Sequence, residues 1–186
     1  MPQTEFLPSR RTGNALAGVT LVLGGARSDK SRYAEGLLAR TAGPRTYLAT
    51  GSAGDPEMAE RIRRHRERRG PGWVTLEAPL EIAAAIEREA GPILVDCLTF
   101  WVSNLMAADE NPDDAIERLL VALRRPGGPL VLVSNEVGLG IVPDNALARA
   151  FRDHAGRVNQ RVASAADRVV FVAAGLPLAL KGDLPG

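Results

Sequence analysis

The chain has 186 residues, 45% of them hydrophobic and 24% charged, with a net charge of +1 at pH 7 and one cysteine. This excludes a disordered chain and leaves room for one domain with a real core. It also argues against a dedicated nucleic-acid binder, an intrachain disulfide framework and a cysteine-based zinc site.

Residues 1–17 mix proline, glycine and basic residues without a period, and read as a flexible extension. Residues 18–186 read as a single domain. The apolar runs are strand-length, too short for a membrane span, and no secretory apolar segment opens the chain. A cytoplasmic location is therefore expected.

The first strand, Val19 to Leu23, runs into Gly24-Gly25-Ala26-Arg27-Ser28-Asp29-Lys30-Ser31, and a helix follows from Ser31 to Ala39. The spacing is that of the phosphate-binding loop, G-x-x-x-x-G-K-[ST], with Asp29 where the second glycine belongs. Glycines let backbone N–H groups curl around phosphate oxygens. Lys30 would reach the β- and γ-phosphates, Ser31 would hold Mg²⁺, and the helix would point its positive end at the anion. Asp tolerates left-handed dihedrals better than most residues. Its carboxylate, if it points into the loop, should weaken nucleotide binding by roughly tenfold.

A second strand, Thr46 to Ala49, ends in Thr50-Gly51. Asp55-Pro56 opens a helix expected to reach Arg69, with Asp at the N-cap and Pro at N1. It carries Arg61, Arg63, Arg64, Arg66, Arg68 and Arg69 around His65. Met58, Ile62 and His65 share one face, and the arginines disfavour the protonated imidazole. A neutral imidazole is a nucleophile; from the helix alone, a solvated basic surface with an incidental histidine is the plainer reading. A strand from Trp73 to Leu76 ends at Glu77, and a helix spans Pro79 to Ala90.

The strand Ile93-Leu94-Val95 ends at Asp96, an apolar strand closing on a carboxylate that can hold Mg²⁺ directly or through water, or can cap the next helix. Cys97 reads as a buried thiol within that strand. Helices follow over Phe100 to Ala108 and from Asn111-Pro112 to Arg125, then a strand from Leu130 to Val133 ending in Ser134-Asn135-Glu136. A glycine-containing loop through Pro143 leads to a helix from Asp144 to Ala166. Val169 to Val172 and Leu178 to Leu180 are the last strands. Strands alternating with helices predict an α/β fold, a mostly parallel sheet flanked by helices, and with the phosphate loop on its first strand the expected class is the P-loop NTPase type (RecA-like). Right-handed crossovers then bring Gly24-Gly25, Thr50-Gly51, Glu77, Asp96 and Asn135-Glu136 to one edge, where such sheets bind ligands.

Five stretches together carry a resemblance. They are Gly24 to Arg32, Ala49-Thr50, Glu57 to His65, Asn135 to Pro143, and Arg152 to Gln160. With them the chain closely resembles the bifunctional adenosylcobinamide kinase / adenosylcobinamide-phosphate guanylyltransferase family of cobalamin synthesis, over nearly all residues from Val19 onward. The resemblance implies that the hydroxyl of the aminopropanol arm of adenosylcobinamide takes the γ-phosphate of ATP or GTP. A histidine then holds GMP from GTP covalently and passes it to the cobinamide phosphate.

By position that histidine is His65. Implied nucleotide contacts are Gly24, Gly25, Ala26, Arg27, Ser28, Asp29, Lys30, Ser31, Thr50, Gly51, Arg66, Glu67, Arg68, Arg69, Glu77 and Asp96, with Ser31 and Asp96 at Mg²⁺. A homotrimer is implied as well. Asp29 departs from the family pattern. The competing expectations are a P-loop small-molecule kinase without a covalent step and a regulatory nucleotide binder impaired by Asp29.

Overall fold

Strands of almost pure Val, Leu and Ile need apolar cover on both faces, and the arrangement of helices supplies it. The computed structural model describes residues 16–51, 63, 67 and 69–185. In chain order these form β1 (Val19–Gly24), α1 (Lys30–Ala39), β2 (Arg45–Ala49), β3 (Trp73–Glu77), α2 (Ile82–Arg88), β4 (Ile93–Asp96), α3 (Leu98–Ala107), α4 (Pro112–Leu123), β5 (Leu130–Asn135), α5 (Ala146–Ala165), β6 (Arg168–Ala173) and β7 (Leu176–Lys181). The strands make one sheet in the order β3-β2-β4-β5-β1-β6-β7. Every pairing is parallel except β6 with β7. The antiparallel pair is closed by Ala174 (φ 51°) and Gly175 (φ 78°), the left-handed pair that a two-residue hairpin turn requires.

The period-two alternation of the strands divides the core. Leu21, Leu48, Ile93 and Leu132 face one side, where Ile82, Trp101, Ile116 and Val158 from α2, α3, α4 and α5 pack on them. Val22, Tyr47, Leu94 and Val131 face the other, against Ala34, Leu37 and Leu38 of α1. Helix ends carry their own chemistry. The side chain of Asn111 accepts from Asp113 N at 3.0 Å, with Pro112 in the first turn of α4, and that of Asn145 accepts from Ala148 N at 2.7 Å. At the far end of α1, Arg45 donates Nε to Leu38 O (2.7 Å) and Nη2 to Ala39 O (3.0 Å) and Thr41 O (2.9 Å). A residue from the next strand thus bonds the carbonyls at and just past the end of the helix.

Three boundaries differ from the sequence expectations for physical reasons. The helix expected from Pro79 begins only at Ile82, because Leu80 O and Pro79 O are engaged outside a helix by Trp101 Nε1 (2.7 Å) and Asn104 Nδ2 (3.0 Å). Cys97 is not inside the strand but at the N-cap of α3, buried all the same. The last strand is longer than expected and runs against its neighbour. The expected extension over residues 1–17 lies almost wholly outside the described residues, apart from Leu16 and Ala17.

Candidate nucleotide site

Gly24 ends β1 at the centre of the sheet. A Cβ built there would meet Val172 O at 2.5 Å and Ser28 Oγ at 2.5 Å, so no larger residue fits. Beyond it the chain turns tightly: Ser28 N donates to Gly25 O at 3.3 Å, and Arg27 (φ 56°) and Asp29 (φ 72°) both take left-handed backbone. Asp29 is the N-cap residue of α1 but makes no side-chain cap bond. The loop is held from outside by Gly175 N, which donates to Ser28 O at 3.1 Å, and by Glu136 N, which donates to Gly24 O at 3.1 Å. Lys30 Nζ bridges back to Gly25 O at 3.3 Å. Ser28 is buried and its hydroxyl has no hydrogen-bond partner among the described residues. No acidic residue occupies the first turn of α1, so its positive end is left for an anion.

Asp29 corrects one expectation. Its carboxylate leans along the outside of α1, with Oδ2 3.7 Å from Arg32 Nη1, both side chains largely exposed. It lines a shallow cavity of about 410 Å³ with Arg32, Gly36 and Arg40. The like-charge penalty expected from a carboxylate pointing into the loop does not arise in this orientation.

Asp96 stands at the end of β4, separated from β1 by β5. Through Val133 it is level with Val22, two residues before Gly24. Tyr47, on the same face of β2, donates its hydroxyl to Asp96 Oδ2 at 2.9 Å. Burial, then the Asp96 charge, push the phenol well above its usual range, so it stays a neutral donor. The Arg69 guanidinium lies 3.5 Å above the Tyr47 ring and donates to Thr75 Oγ1 at 3.3 Å, with Nε and Nη1 buried and unpaired. Asp96 does not cap α3; Cys97 holds that position. Burial and the neighbouring Asp96 raise the Cys97 thiol to about 11, which leaves it inert as a nucleophile at neutral pH.

Thr50 is fully buried. Its hydroxyl accepts from Cys97 N at 2.8 Å and donates to Cys97 O at 2.8 Å, and its carbonyl accepts from Asn104 Nδ2 at 2.7 Å. The side chain therefore ties β2 to β4, and Gly51 is the member of the pair with room at the edge. Glu77 ends β3 exposed, one strand beyond Thr50. Arg63 and Glu67 form an exposed i,i+4 pair at 2.5 Å. His65, Arg66 and Arg68, with Met58 and Ile62, lie outside the described residues.

The structure thus brings together Gly24 to Ser31, the end of β4 and the Asn135-Glu136 exit. Sequence reasoning passed over Tyr47, whose only signal was its place two residues from the strand end, on the face that Asp96 shares. It also passed over Thr99 and Asn159. Thr99 Oγ1 accepts from Asn135 N at 2.7 Å, and Asn159 Nδ2 donates to Asn135 O at 3.2 Å, so α3 and α5 together pin the exit of β5. Among the described residues no group of three or more His, Cys, Asp or Glu could hold a metal ion. Ser31 and Asp96 suit Mg²⁺, which keeps most of its waters and binds through one or two protein oxygens plus phosphate.

The family profile described as cobinamide kinase / cobinamide phosphate guanyltransferase matches residues 20–180. The chain belongs to this family. Its relatives with curated names include two from bacteria. The bifunctional adenosylcobalamin biosynthesis protein CobP of Pseudomonas aeruginosa is 49% identical over 168 residues, covering 88% of this chain and 97% of the relative. CobU of Salmonella typhimurium, of the same description, is 44% identical over 179 residues, covering 87% and 98%. The cobinamide kinase / guanyltransferase fold is shared more widely. The flagellar accessory protein FlaH of Methanocaldococcus jannaschii superposes with a TM-score of 0.50 at 14% identity, covering 92% of this chain and 82% of that one. An ATPase of a bacterial type III secretion system superposes at 0.52 with 12% identity, covering 87% and 56%. At such identities the likeness concerns the P-loop NTPase fold alone. The chain is a transferase of the cobinamide kinase / guanyltransferase family, and no helix among its described residues is long and apolar enough to cross a membrane.

Proposed function

We propose that this chain carries out both transfers on adenosylcobinamide: phosphorylation by ATP or GTP, then attachment of GMP through a covalent intermediate on His65. The observation that supports this most directly is the cradle from Gly24 to Ser31, a backbone loop at a helix N-terminus with no room for a Cβ at its first glycine.

In the first step the aminopropanol hydroxyl oxygen bonds to the γ-phosphorus. The bond from that phosphorus to the β-phosphate oxygen breaks, the nucleoside diphosphate leaves and the hydroxyl proton is released. Lys30 and the loop amides hold the phosphates and offset the charge that spreads over the transferred group. Ser31 and Asp96 would hold Mg²⁺, which when bound neutralises phosphate charge; Tyr47 fixes the Asp96 carboxylate for that task. In the second step a ring nitrogen of His65 bonds to the α-phosphorus of GTP and pyrophosphate leaves. A phosphate oxygen of cobinamide phosphate then bonds to that phosphorus as the P–N bond breaks, giving adenosylcobinamide-GDP. Splitting one difficult displacement into two is the gain of covalent catalysis. The reaction belongs in the cytoplasm, and the assembly is a homotrimer, so sedimentation should give three times the 19.8 kDa of one chain.

The test is incubation with GTP labelled at the α-phosphorus, followed by a denaturing gel. The parent should carry an acid-labile label, the mark of a phosphoramidate. His65→Ala should carry none while keeping part of the kinase activity. A label that survives the substitution would overturn the assignment of His65, and a parent that never labels would leave a kinase without a covalent step.

A further inference from the structure

Beside the phosphate loop, on the face of the sheet that α5 covers, lies an open cleft of about 870 Å³. Its inner end is formed by Leu23, the residue before Gly24, and by Glu136, whose N–H is bonded to Gly24 O. One wall is α5, from Arg152 to Ser164; the other is β7, at Leu180 and Lys181. We propose that this cleft seats the corrinoid acceptor, an amide-fringed and largely uncharged edge of the macrocycle, with the aminopropanol arm passing Glu136 to reach the phosphate loop. The inference rests on the cobinamide-transferase reading and adds to it the place where the acceptor binds.

Four observations support the choice of ligand. The first is position, because an acceptor hydroxyl must approach the γ-phosphate at this edge. The second is charge. Each cation on the walls is already engaged: Lys181 Nζ with Ala163 O (3.1 Å) and Ser164 O (2.8 Å), Arg157 with Asp113 (3.5 Å) and His154 Nδ1 (2.7 Å), and Arg152 with Asp153 (3.2 Å). The cleft is therefore a poor second phosphate site and suits a neutral, hydrogen-bonding surface.

The third is Gly156, in the middle of α5 and on the cleft wall, where a Cβ would meet no atom within 4 Å. Glycine is the least favourable residue inside a helix after proline, and nothing among the described residues requires it here. Close approach of a ligand to the helix backbone is a reason for it. The fourth is the amphipathic lining. Leu139 and Leu180 are exposed on the rim, while Asn159, 6% exposed, stands at the base with its Oδ1 unpartnered. An apolar rim over an amide base matches a macrocycle whose faces are apolar and whose edge carries carboxamides.

Cobinamide is coloured, so equilibrium dialysis of the full-length protein against it reads binding directly. Gly156→Ala adds only a methyl group and favours the helix; Gly156→Phe fills the cleft. The alanine variant should bind at least threefold more weakly than the parent and the phenylalanine variant at least tenfold more weakly, with GTP affinity changed less than twofold in both. Leu180→Asp, on the exposed rim, should weaken cobinamide binding at least threefold and keeps the test decisive if Gly156→Phe does not fold. Cobinamide binding by the parent that neither Gly156→Phe nor Leu180→Asp weakens would overturn the cleft alone. So would a Gly156→Phe variant that changes sedimentation mass but binds cobinamide as before, which would make the cleft a contact between copies of the chain. A parent that binds GTP but no cobinamide would overturn the functional reading beneath it.

Discussion

Asp29 shows how a single side chain is judged by direction as well as identity. At φ 72° it occupies the left-handed backbone that glycine adopts without strain, and its carboxylate reaches toward Arg32. Both groups are solvated, so the pair contributes little. Asp29→Gly should therefore alter GTP affinity by less than about threefold, well under the tenfold that about 1.4 kcal/mol would bring. Asp29→Ala should lower stability by about 1 kcal/mol, because alanine resists the left-handed conformation without an asparagine-like side chain to ease it. Calorimetric titration and thermal melts separate the two effects; a tenfold gain in affinity for Asp29→Gly would mean that the carboxylate turns inward.

Asp96 is the opposite case, a residue whose proposed use follows from its place in the sheet. Asp96→Asn should raise the Mg²⁺ concentration needed for half-maximal turnover at least tenfold, which is about 1.4 kcal/mol, with little loss of stability. Tyr47→Phe should raise it less, since the carboxylate remains but loses its fixed donor. An Mg²⁺ titration of turnover beside a melt checks both, and an unchanged Mg²⁺ dependence in Asp96→Asn would show that this carboxylate holds no metal.

At the scale of elements, two of the described helices have end carbonyls bonded from a neighbouring strand, α1 by Arg45 and α5 by Lys181. Arg45 gives three donors, to Leu38 O and Ala39 O in the last turn of α1 and to Thr41 O just past it, at the opposite end of the helix from the phosphate loop. Arg45→Ala should cost about 1–3 kcal/mol, the range for opening charge-assisted bonds at a partly buried helix end. Urea unfolding at an unchanged slope would register this as a lower midpoint. An unchanged midpoint would show that water replaces all three bonds at no cost.

The strands were legible in the sequence because β1, β4 and β5 are continuous apolar runs, and α4 because Asn111-Pro112 announces its start; α5 was expected from Asp144, one residue before its Asn145 cap. The phosphate loop was legible because its chemistry is local, eight residues in a row. Tyr47 was not, since its bond to Asp96 joins residues 49 apart in sequence. The cleft was not either: α5 and β7 form its walls, and no local pattern says that the two face each other. The role proposed for His65 comes from the likeness of the whole chain to a family; the helix pattern by itself favoured a solvated surface.

For the whole molecule, the sheet order decides when function can exist. β1 is paired on one side with β5, residue for residue from Val19 with Leu130 to Gly24 with Asn135, and on the other with β6. Both neighbours arrive more than a hundred residues later in the chain. As the protein leaves the ribosome, the strand that bears the phosphate loop comes first and waits longest, an apolar segment with neither edge paired. Its cradle closes only when Val172 supplies the carbonyl against which Gly24 packs. Such long-range pairing makes folding slow and leaves a window for misassembly. A fragment ending at Gly128, just before β5, should show no saturable GTP binding although it contains every residue of the loop. Binding by that fragment would mean the loop can form without its neighbours. A nascent chain that cannot yet hold GTP also cannot be stabilised by it, so any protection by nucleotide would begin only after β5 and β6 have paired.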